Sequence, residues 1–141
     1  MRKSKITAEE FLELASEGVP YVGLLGCRVE RLERGEIDIR MPWQDLLRRP
    51  GGTVCGPAMM ALADIALYGV VLSLVGPLAL AVTTDLNVHF LRKPAPGDLL
   101  GRGRVIKPGR SLVVGQVSIE READPHPVAH AVGTYILPPT G

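Results

Sequence analysis

The chain has 141 residues, enough to bury one hydrophobic core but not two, so we expect a single domain over residues 1–141. Its 16 Lys and Arg residues almost balance its 15 Asp and Glu residues, and aromatic residues make up only 4% of the chain. Neither the basic surface nor the stacking aromatic residues of a nucleic-acid-binding protein are indicated, so we expect no nucleic-acid partner.

The N-terminal segment predicts a short helix. Thr7 followed by Glu10 is typical of a capping box, and the apolar residues after it predict a helix over about 8–17, ended by Gly18. Its glutamates stand where a signal peptide would need an apolar run. The two cysteines of the chain make neither a disulfide framework nor a zinc-binding spacing. We therefore expect reduced thiols and a cytoplasmic location.

One predicted strand pair follows this helix. Residues 19–27 are expected to form a loop that packs on the core. The strict alternation of residues 36–41 predicts a half-buried strand, with a hairpin around Arg34-Gly35. Residues 42–52 then predict a short helical turn or a loop.

A long apolar segment predicts the central helix. Gly56 is expected as its N-cap and Pro57 as its first helical residue, and Gly76-Pro77 ends it. Because this helix is apolar on nearly every side, we expect it to be buried. A membrane span is disfavoured because Asp64 lies within the segment, and a charge at membrane depth is unfavourable.

Three or four β segments are expected in the rest of the chain, separated by Pro and Gly turns. They are the stretches 78–91, 98–106, 111–122 and 127–137. In the first stretch, one face is predicted to carry Leu86, Val88 and Phe90, and the other Asp85, Asn87 and His89. The order of elements predicts an α+β fold in which an antiparallel sheet surrounds one long α-helix.

Asp64 is the one carboxylate in the apolar segment 51–76. Burial removes the hydration of a carboxylate and is unfavourable unless hydrogen-bond donors or a cleft compensate, so Asp64 is either a structural acid or a functional group. The start of the same helix, from Gly56 to Met60, offers free backbone amides that favour an anion or an oxyanion. Asp64 lies about two turns downstream, so a second element or a second subunit would have to bring an acid to that amide.

Other reactive side chains give weaker signals. Cys55 would be a nucleophile at a helix start, but a cysteine enzyme needs a base, and the histidines form no recognisable pairing motif. We therefore expect Cys55 to pack in a loop. Prolines beside His126 exclude the helical spacing by which His126 and His130 would share a metal ion, so no metal site is expected.

Two stretches, GTVCGPAMMALADIA and AVTTDLNVHFLRKPAPGD, carry a resemblance to a known family. Their spacing resembles that of hotdog-fold acyl-CoA thioesterases of the phenylacetic-acid-degradation type, over about residues 20–138. In that family a Gly-x-x-His-Gly-Gly segment opens the central helix, an acid follows nine residues after the His, and a Thr-x-Asp-Leu-Asn strand follows. Here Asp64 comes nine residues after Cys55, which replaces the His, and Pro57 replaces the second Gly.

The resemblance implies a thioester hydrolase with its site between two subunits. In hotdog dimers two sheets join edge to edge, so Asp64 of one chain would face the Gly56 amide of the other, and two such dimers would form a homotetramer. Asp64 would be the general base or the nucleophile, and the Gly56 N–H would stabilise the oxyanion. Thr83 matches a hydroxyl that holds water in some relatives, with Thr84 a nearby substitute. No metal or redox cofactor is implied, since coenzyme A is part of the substrate.

Substrate-binding residues follow from the same resemblance. Arg49 stands where some relatives carry an Asn that helps to place the substrate or water. Met59, Met60 and Leu67 either help to shape an acyl pocket or pack in the core, since both roles explain these residues equally well. The residues expected to bind the substrate are Cys55, Arg49, Thr84, Met60, Arg92, Lys93 and Arg110. The last three lie in basic turns that are either simply solvated or in contact with the CoA phosphates.

The alternative is a non-catalytic acyl-CoA-binding hotdog protein, in which the changes at Cys55 and Arg49 mark lost chemistry. A hotdog dehydratase is disfavoured because the expected pair of His and acid is not visible in the sequence.

Overall fold

The structure of the protein, a computed structural model, describes residues 3–139. The helices are α1 (Ala8–Gly18), α2 (Pro20–Leu25) and α3 (Gly56–Val75). The strands are β1 (Arg28–Glu33), β2 (Glu36–Met41), β3 (Val82–Phe90), β4 (Leu99–Pro108), β5 (Leu112–Arg121) and β6 (Ala129–Ile136). A short 3-10 turn spans Asp45–Leu47, where the sequence predicts a helical turn or a loop.

The strands form one antiparallel sheet in the order β1-β2-β4-β5-β6-β3. Helix α3 lies against the inner face of this sheet and contacts every strand. Its close approach requires a glycine in β4, because a Cβ atom at Gly103 would lie 2.9 Å from side-chain carbons of Ile37 and Val70. The predicted α+β fold, an antiparallel sheet around one long helix, is confirmed.

Local sequence signals explain the first elements. Thr7 and Glu10 form the predicted capping box: the Glu10 amide donates to Thr7 Oγ1 at 3.1 Å, and the Thr7 amide donates to Glu10 Oε1 at 2.9 Å. The β1–β2 hairpin turns at Arg34 and Gly35, as predicted, and Gly35 has a φ of +80° that favours glycine.

Two local predictions are wrong. Residues 20–25 form helix α2 rather than a loop, with Pro20 in its first turn and Gly26 ending it at a φ of +66°. The N-cap of α3 is Cys55 rather than Gly56, so Gly56 is already the first helical residue. In either position the Gly56 amide is among those that have no intrahelical acceptor.

Among the described residues, α3 is the one helix that is long and apolar enough to cross a membrane, with a mean hydropathy of 2.1. The fold buries most of this apolar surface, because 67% of the most hydropathic 18-residue window of the helix lies inside the protein. The sequence predicts burial for a helix that is apolar on nearly every side, and most of α3 is buried.

Candidate functional site

Asp64 lies on α3 and is partly buried. Its Oδ1 atom accepts hydrogen bonds from Thr83 Oγ1 at 2.7 Å and from the Tyr135 hydroxyl at 2.8 Å. The Tyr135 hydroxyl also lies 3.1 Å from the main-chain oxygen of Asp64. Within residues 3–139, no hydrogen bond or ion pair reaches Oδ2 of Asp64. Two hydroxyl donors thus compensate one carboxylate oxygen and leave the other free to react.

A bulge in β3 decides which threonine reaches Asp64. Strict alternation with the inward Leu86 would point Thr84 inward and Thr83 outward. The β3–β6 register shifts between Thr83 and Asp85, and this shift reverses the directions in which the two threonine side chains point. Thr83 therefore faces α3, whereas the exposed Thr84 hydroxyl donates to the carbonyl of Thr134 at 3.3 Å. Of the two hydroxyls that the sequence offered, the structure brings only Thr83 to the carboxylate.

Tyr135 is a residue of this cluster that the sequence reasoning missed. It lies on β6 directly opposite Thr83, is 4% exposed, and stacks on Tyr68 with a centroid distance of 5.9 Å. Burial, and then the negative charge of Asp64, raise the pKa of Tyr135, so its hydroxyl keeps its proton and acts as a donor. The sequence feature that could have indicated Tyr135 is its inward position in an alternating strand. A tyrosine buried there needs a hydrogen-bond partner for its hydroxyl.

A pocket of about 390 Å³ opens beside Asp64. Asp64, Thr83 and Tyr135 contribute its polar groups, and most of its wall is apolar. The remaining lining residues are Val19, Val22, Ile65, Tyr68, Ala79, Leu80, Ala81 and Val82. Small-molecule sites are commonly apolar clefts with a few polar groups, so this pocket is the candidate site for a ligand with an apolar part.

Three apolar residues of α3 lie outside the lining of this pocket. Met59 and Leu67 are 4% and 1% exposed and pack in the core, and neither lines the pocket beside Asp64. Met60 is 44% exposed on α3 and also lies outside that lining. The apolar walls come from the start of α2, from residues 79–82 and from α3 itself.

The start of α3 forms a second candidate region. The Gly56 amide has no hydrogen-bond acceptor among residues 3–139. A Cβ atom at Gly56 would lie 3.6 Å from Cζ of Phe90, so the helix start packs against the end of β3. Cys55 is a half-buried free thiol whose backbone amide donates to the Leu47 carbonyl at 2.8 Å. Arg49 is exposed in the adjacent turn, which its amide closes on the Thr53 carbonyl at 2.9 Å.

One chain does not bring Asp64 and Gly56 together. The two residues are eight positions apart on one helix, which corresponds to about 12 Å along its axis. Asp64 contacts Thr83 near the beginning of β3, whereas Gly56 lies beside Phe90 at its end. The carboxylate and the free amide therefore lie at opposite ends of an edge strand.

The basic residues expected to contact the CoA phosphates lie in two distant parts of the fold. Arg92 and Lys93 are exposed just after the end of β3. Arg110 is exposed in the β4–β5 turn, two residues before Leu112. Leu112 pairs with Ile136, and Ile136 pairs with Val82, so this turn lies near the beginning of β3. Within one chain, Arg110 and the other two residues cannot bind the same phosphate.

Comparisons with known proteins agree on one family. The model of the family described as "Thioesterase superfamily" matches residues 51–127. A Halobacterium salinarum protein named "Putative esterase" is 37% identical over 73% of this chain and 71% of its own length. The crystal structure of a "putative thioesterase" from a Silicibacter species has a TM-score of 0.87 at 40% identity, covering 97% of this chain and 95% of that one.

A more distant structure shows the same fold. A mutant of the phenylacetic acid degradation protein PaaI from Thermus thermophilus has a TM-score of 0.75 at 24% identity. The match covers 84% of this chain and 99% of that one.

Proposed function

The chain belongs to the thioesterase superfamily and has its hotdog fold, and from this premise we propose that it is a cytoplasmic acyl-CoA thioesterase. Thioester hydrolysis is the general activity that the family and the names of its relatives support. The observation that carries the proposal is Asp64, which stands in an apolar pocket with one oxygen held by two hydroxyls and the other free.

The chemistry follows from that carboxylate. Oδ2 of Asp64 either removes a proton from a water molecule that attacks the thioester carbonyl carbon, or attacks that carbon itself. In either case a C–O bond forms, the C–S bond breaks, and the sulfur leaves as the thiolate of CoA and takes up a proton. After attack by water, the acyl group leaves directly as a carboxylic acid. After attack by Asp64, the acyl group is bound to the carboxylate as an anhydride, which a water molecule then hydrolyses to the acid and free Asp64. The pocket beside Asp64 would bind the apolar acyl group.

The second requirement is a donor for the carbonyl oxygen. Removing one such donor from an active site costs about 10²–10³ in kcat. The free Gly56 amide is suited to this role, but in its own chain it lies about 12 Å along the helix from Asp64. We therefore assign the donor to the Gly56 amide of a second copy of the chain.

Edge strand β3 supports this arrangement. β3 pairs with β6 on one side only. If two copies of β3 pair in antiparallel fashion about a twofold axis, the beginning of each strand lies beside the end of the other. Thr83 with Asp64 would then approach the Phe90 and Gly56 of the other copy, twice in each dimer. A dimer of such dimers, supported by the family resemblance alone, would give the homotetramer.

The direct test is thiol release from aromatic, short-chain and long-chain acyl-CoAs. Wild type should release CoA from at least one of them, and Asp64→Asn should lower kcat about 10²–10⁴-fold, as expected for losing a general base. Glu13→Gln, an exposed change on α1, serves as the charge-matched control. Equal activity of wild type and Asp64→Asn would exclude Asp64 as the catalyst.

The same assay decides the alternative of a non-catalytic binder. This alternative is favoured by two replacements: Cys55 and Arg49 occupy the positions where relatives carry His and Asn. If no acyl-CoA is cleaved but acyl-CoAs bind with measurable heat, the binder function replaces hydrolysis.

A mixing experiment tests the two-chain site. Gly56→Pro removes the amide donor at a helix position that accepts proline, and Asp64→Asn removes the acid. Each variant alone should be nearly inactive. After unfolding and refolding of an equal mixture, half of the dimers are mixed and carry one intact site each, so about a quarter of the wild-type activity should return. A mixture that forms mixed dimers, shown by native mass spectrometry, but regains no activity would refute the shared site.

A further inference from the structure

Tyr135 is absent from every family-derived expectation above, yet it contacts Asp64 as closely as Thr83 does. Its hydroxyl and that of Thr83 come from directly paired positions on β6 and β3, and both donate to the same oxygen. Asp64 is thus held by side chains of two strands against a helix. This arrangement leaves the carboxylate little freedom to rotate.

We propose that Tyr135 is a positioning residue that fixes the Asp64 carboxylate with Oδ1 held and Oδ2 directed to the reaction. The inference rests on the proposed function, since it names how the catalytic carboxylate is oriented.

Three features of Tyr135 suit it to this role. Its ring is 4% exposed and stacks on Tyr68, which in turn packs edge-on against Phe11, so the hydroxyl has a fixed position. The hydroxyl also lies 3.1 Å from the Asp64 main-chain oxygen, which fixes the backbone of Asp64 together with its side chain. Thr83 is next to a bulge on an edge strand, a less rigid support.

Without the Tyr135 hydroxyl, Oδ1 of Asp64 keeps one donor instead of two, so the carboxylate is held less firmly. The expected consequence is a lower kcat with little change in KM. A residue that merely forms the pocket wall would change KM instead.

The test is Tyr135→Phe, which keeps the ring and its stacking and removes only the hydroxyl. We expect kcat to fall about tenfold with KM within about twofold of wild type, as for one lost hydrogen bond to a charged group. Unchanged thermal unfolding would show that the fold is intact. A wild-type kcat, or a raised KM with kcat unchanged, would overturn the proposal.

Two other tyrosines provide controls. Tyr68→Phe removes a neighbouring hydroxyl that donates to the Ala79 carbonyl at 3.1 Å rather than to the Asp64 carboxylate, so kcat should fall less than in Tyr135→Phe. Tyr21→Phe changes an exposed residue of α2 that is outside the pocket lining and should leave activity unchanged. An equal fall of kcat in Tyr68→Phe would refute a specific role for Tyr135.

A second readout does not depend on turnover. In a sample with ¹³C-labelled aspartate, the position of the Asp64 carboxyl signal at one fixed pH reports the hydrogen bonds that this carboxylate accepts. The signal should move in Tyr135→Phe and stay in place in Tyr68→Phe. If no acyl-CoA is hydrolysed, the proposed function fails while this signal still tests the hydrogen bond. An unchanged signal in Tyr135→Phe would refute the positioning role even in an active enzyme.

Discussion

The two edges of the sheet differ sharply in charge. In β1, four of six residues are charged: Arg28, Glu30, Arg31 and Glu33. In β3, Asp85 is the one charged residue of nine. Charged side chains prevent an exposed edge from pairing with another chain, whereas an edge that lacks them remains available. The candidate site lies against the available edge, because Asp64 bonds Thr83 of β3.

The charged edge is also the ion-paired part of the molecule. Asp38 of β2 has a side chain that is only 13% exposed, and it lies 3.2 Å from Arg31, 3.4 Å from Arg102 and 3.3 Å from Arg104. The two sides therefore differ in role: the β1 side contributes to stability, and the β3 side contributes the candidate site and the edge that we propose as its partner surface.

The largest effect should come from placing charge on the available edge. In N87R/H89R two exposed outward residues of β3 become arginines, which would meet their own copies across the proposed twofold axis. We expect a monomer by light scattering and a loss of activity of at least about a hundredfold, since Gly56 and Asp64 could no longer meet. A dimer with full activity would show that β3 is not the pairing edge.

The matched change on the other edge should do nothing. Arg28→Glu reverses the charge of an exposed β1 residue, and we expect the wild-type oligomeric state and activity. Loss of the dimer in this variant would remove the distinction between the two edges.

The next largest effect concerns the stability of the charged edge and leaves the reaction unchanged. Asp38→Asn removes the shared partner of three guanidinium groups, so we expect the free energy of unfolding to fall by about 2 kcal/mol in urea denaturation. The kcat of the folded enzyme should stay the same. Asp45→Asn, which affects only an exposed pair with Arg48, should leave stability unchanged. Equal effects of the two substitutions would mean that the Asp38 cluster has no special importance.

A smaller effect is expected at the beginning of β3. Thr83→Val removes one donor to Asp64 and should lower kcat about tenfold, roughly the value of one hydrogen bond to a charged group. Thr84→Val should lower kcat by less, because the Thr84 hydroxyl bonds the Thr134 carbonyl on the other face. Steady-state kinetics of both variants measure the difference, and the reverse order would contradict the role of the bulge.

The sequence predicts the fold well where its signals are local. The capping box at Thr7, the hairpin turn at Gly35 and the unbroken apolar run of α3 each specify one structure from neighbouring residues. Helix α2 was missed because six residues give too short a pattern to show helical periodicity, although Pro20 and Gly26 mark its two ends.

The site was less predictable because its contacts are distant in sequence. Tyr135 bonds a residue 71 positions away, and no spacing rule connects them. The choice of Thr83 over Thr84 depends on a bulge that breaks the alternation on which strand predictions rest. An all-apolar helix does not reveal which of its sides will be covered, so the sequence leaves a pocket and the core equally open for Met59 and Leu67, which are buried in the structure.

The walls of the pocket have an evolutionary consequence. Asp64, Thr83 and Tyr135 belong to the helix and the sheet, but Val19 precedes α2 and residues 79–81 connect α3 to β3. Leu80 is 79% exposed, so its replacement disturbs little of the core. Mutations in these connecting segments can therefore enlarge, narrow or reshape the cavity while the reactive groups stay in place. Proteins that descend from one ancestor could therefore differ in the ligands that they bind while they keep the same reactive groups.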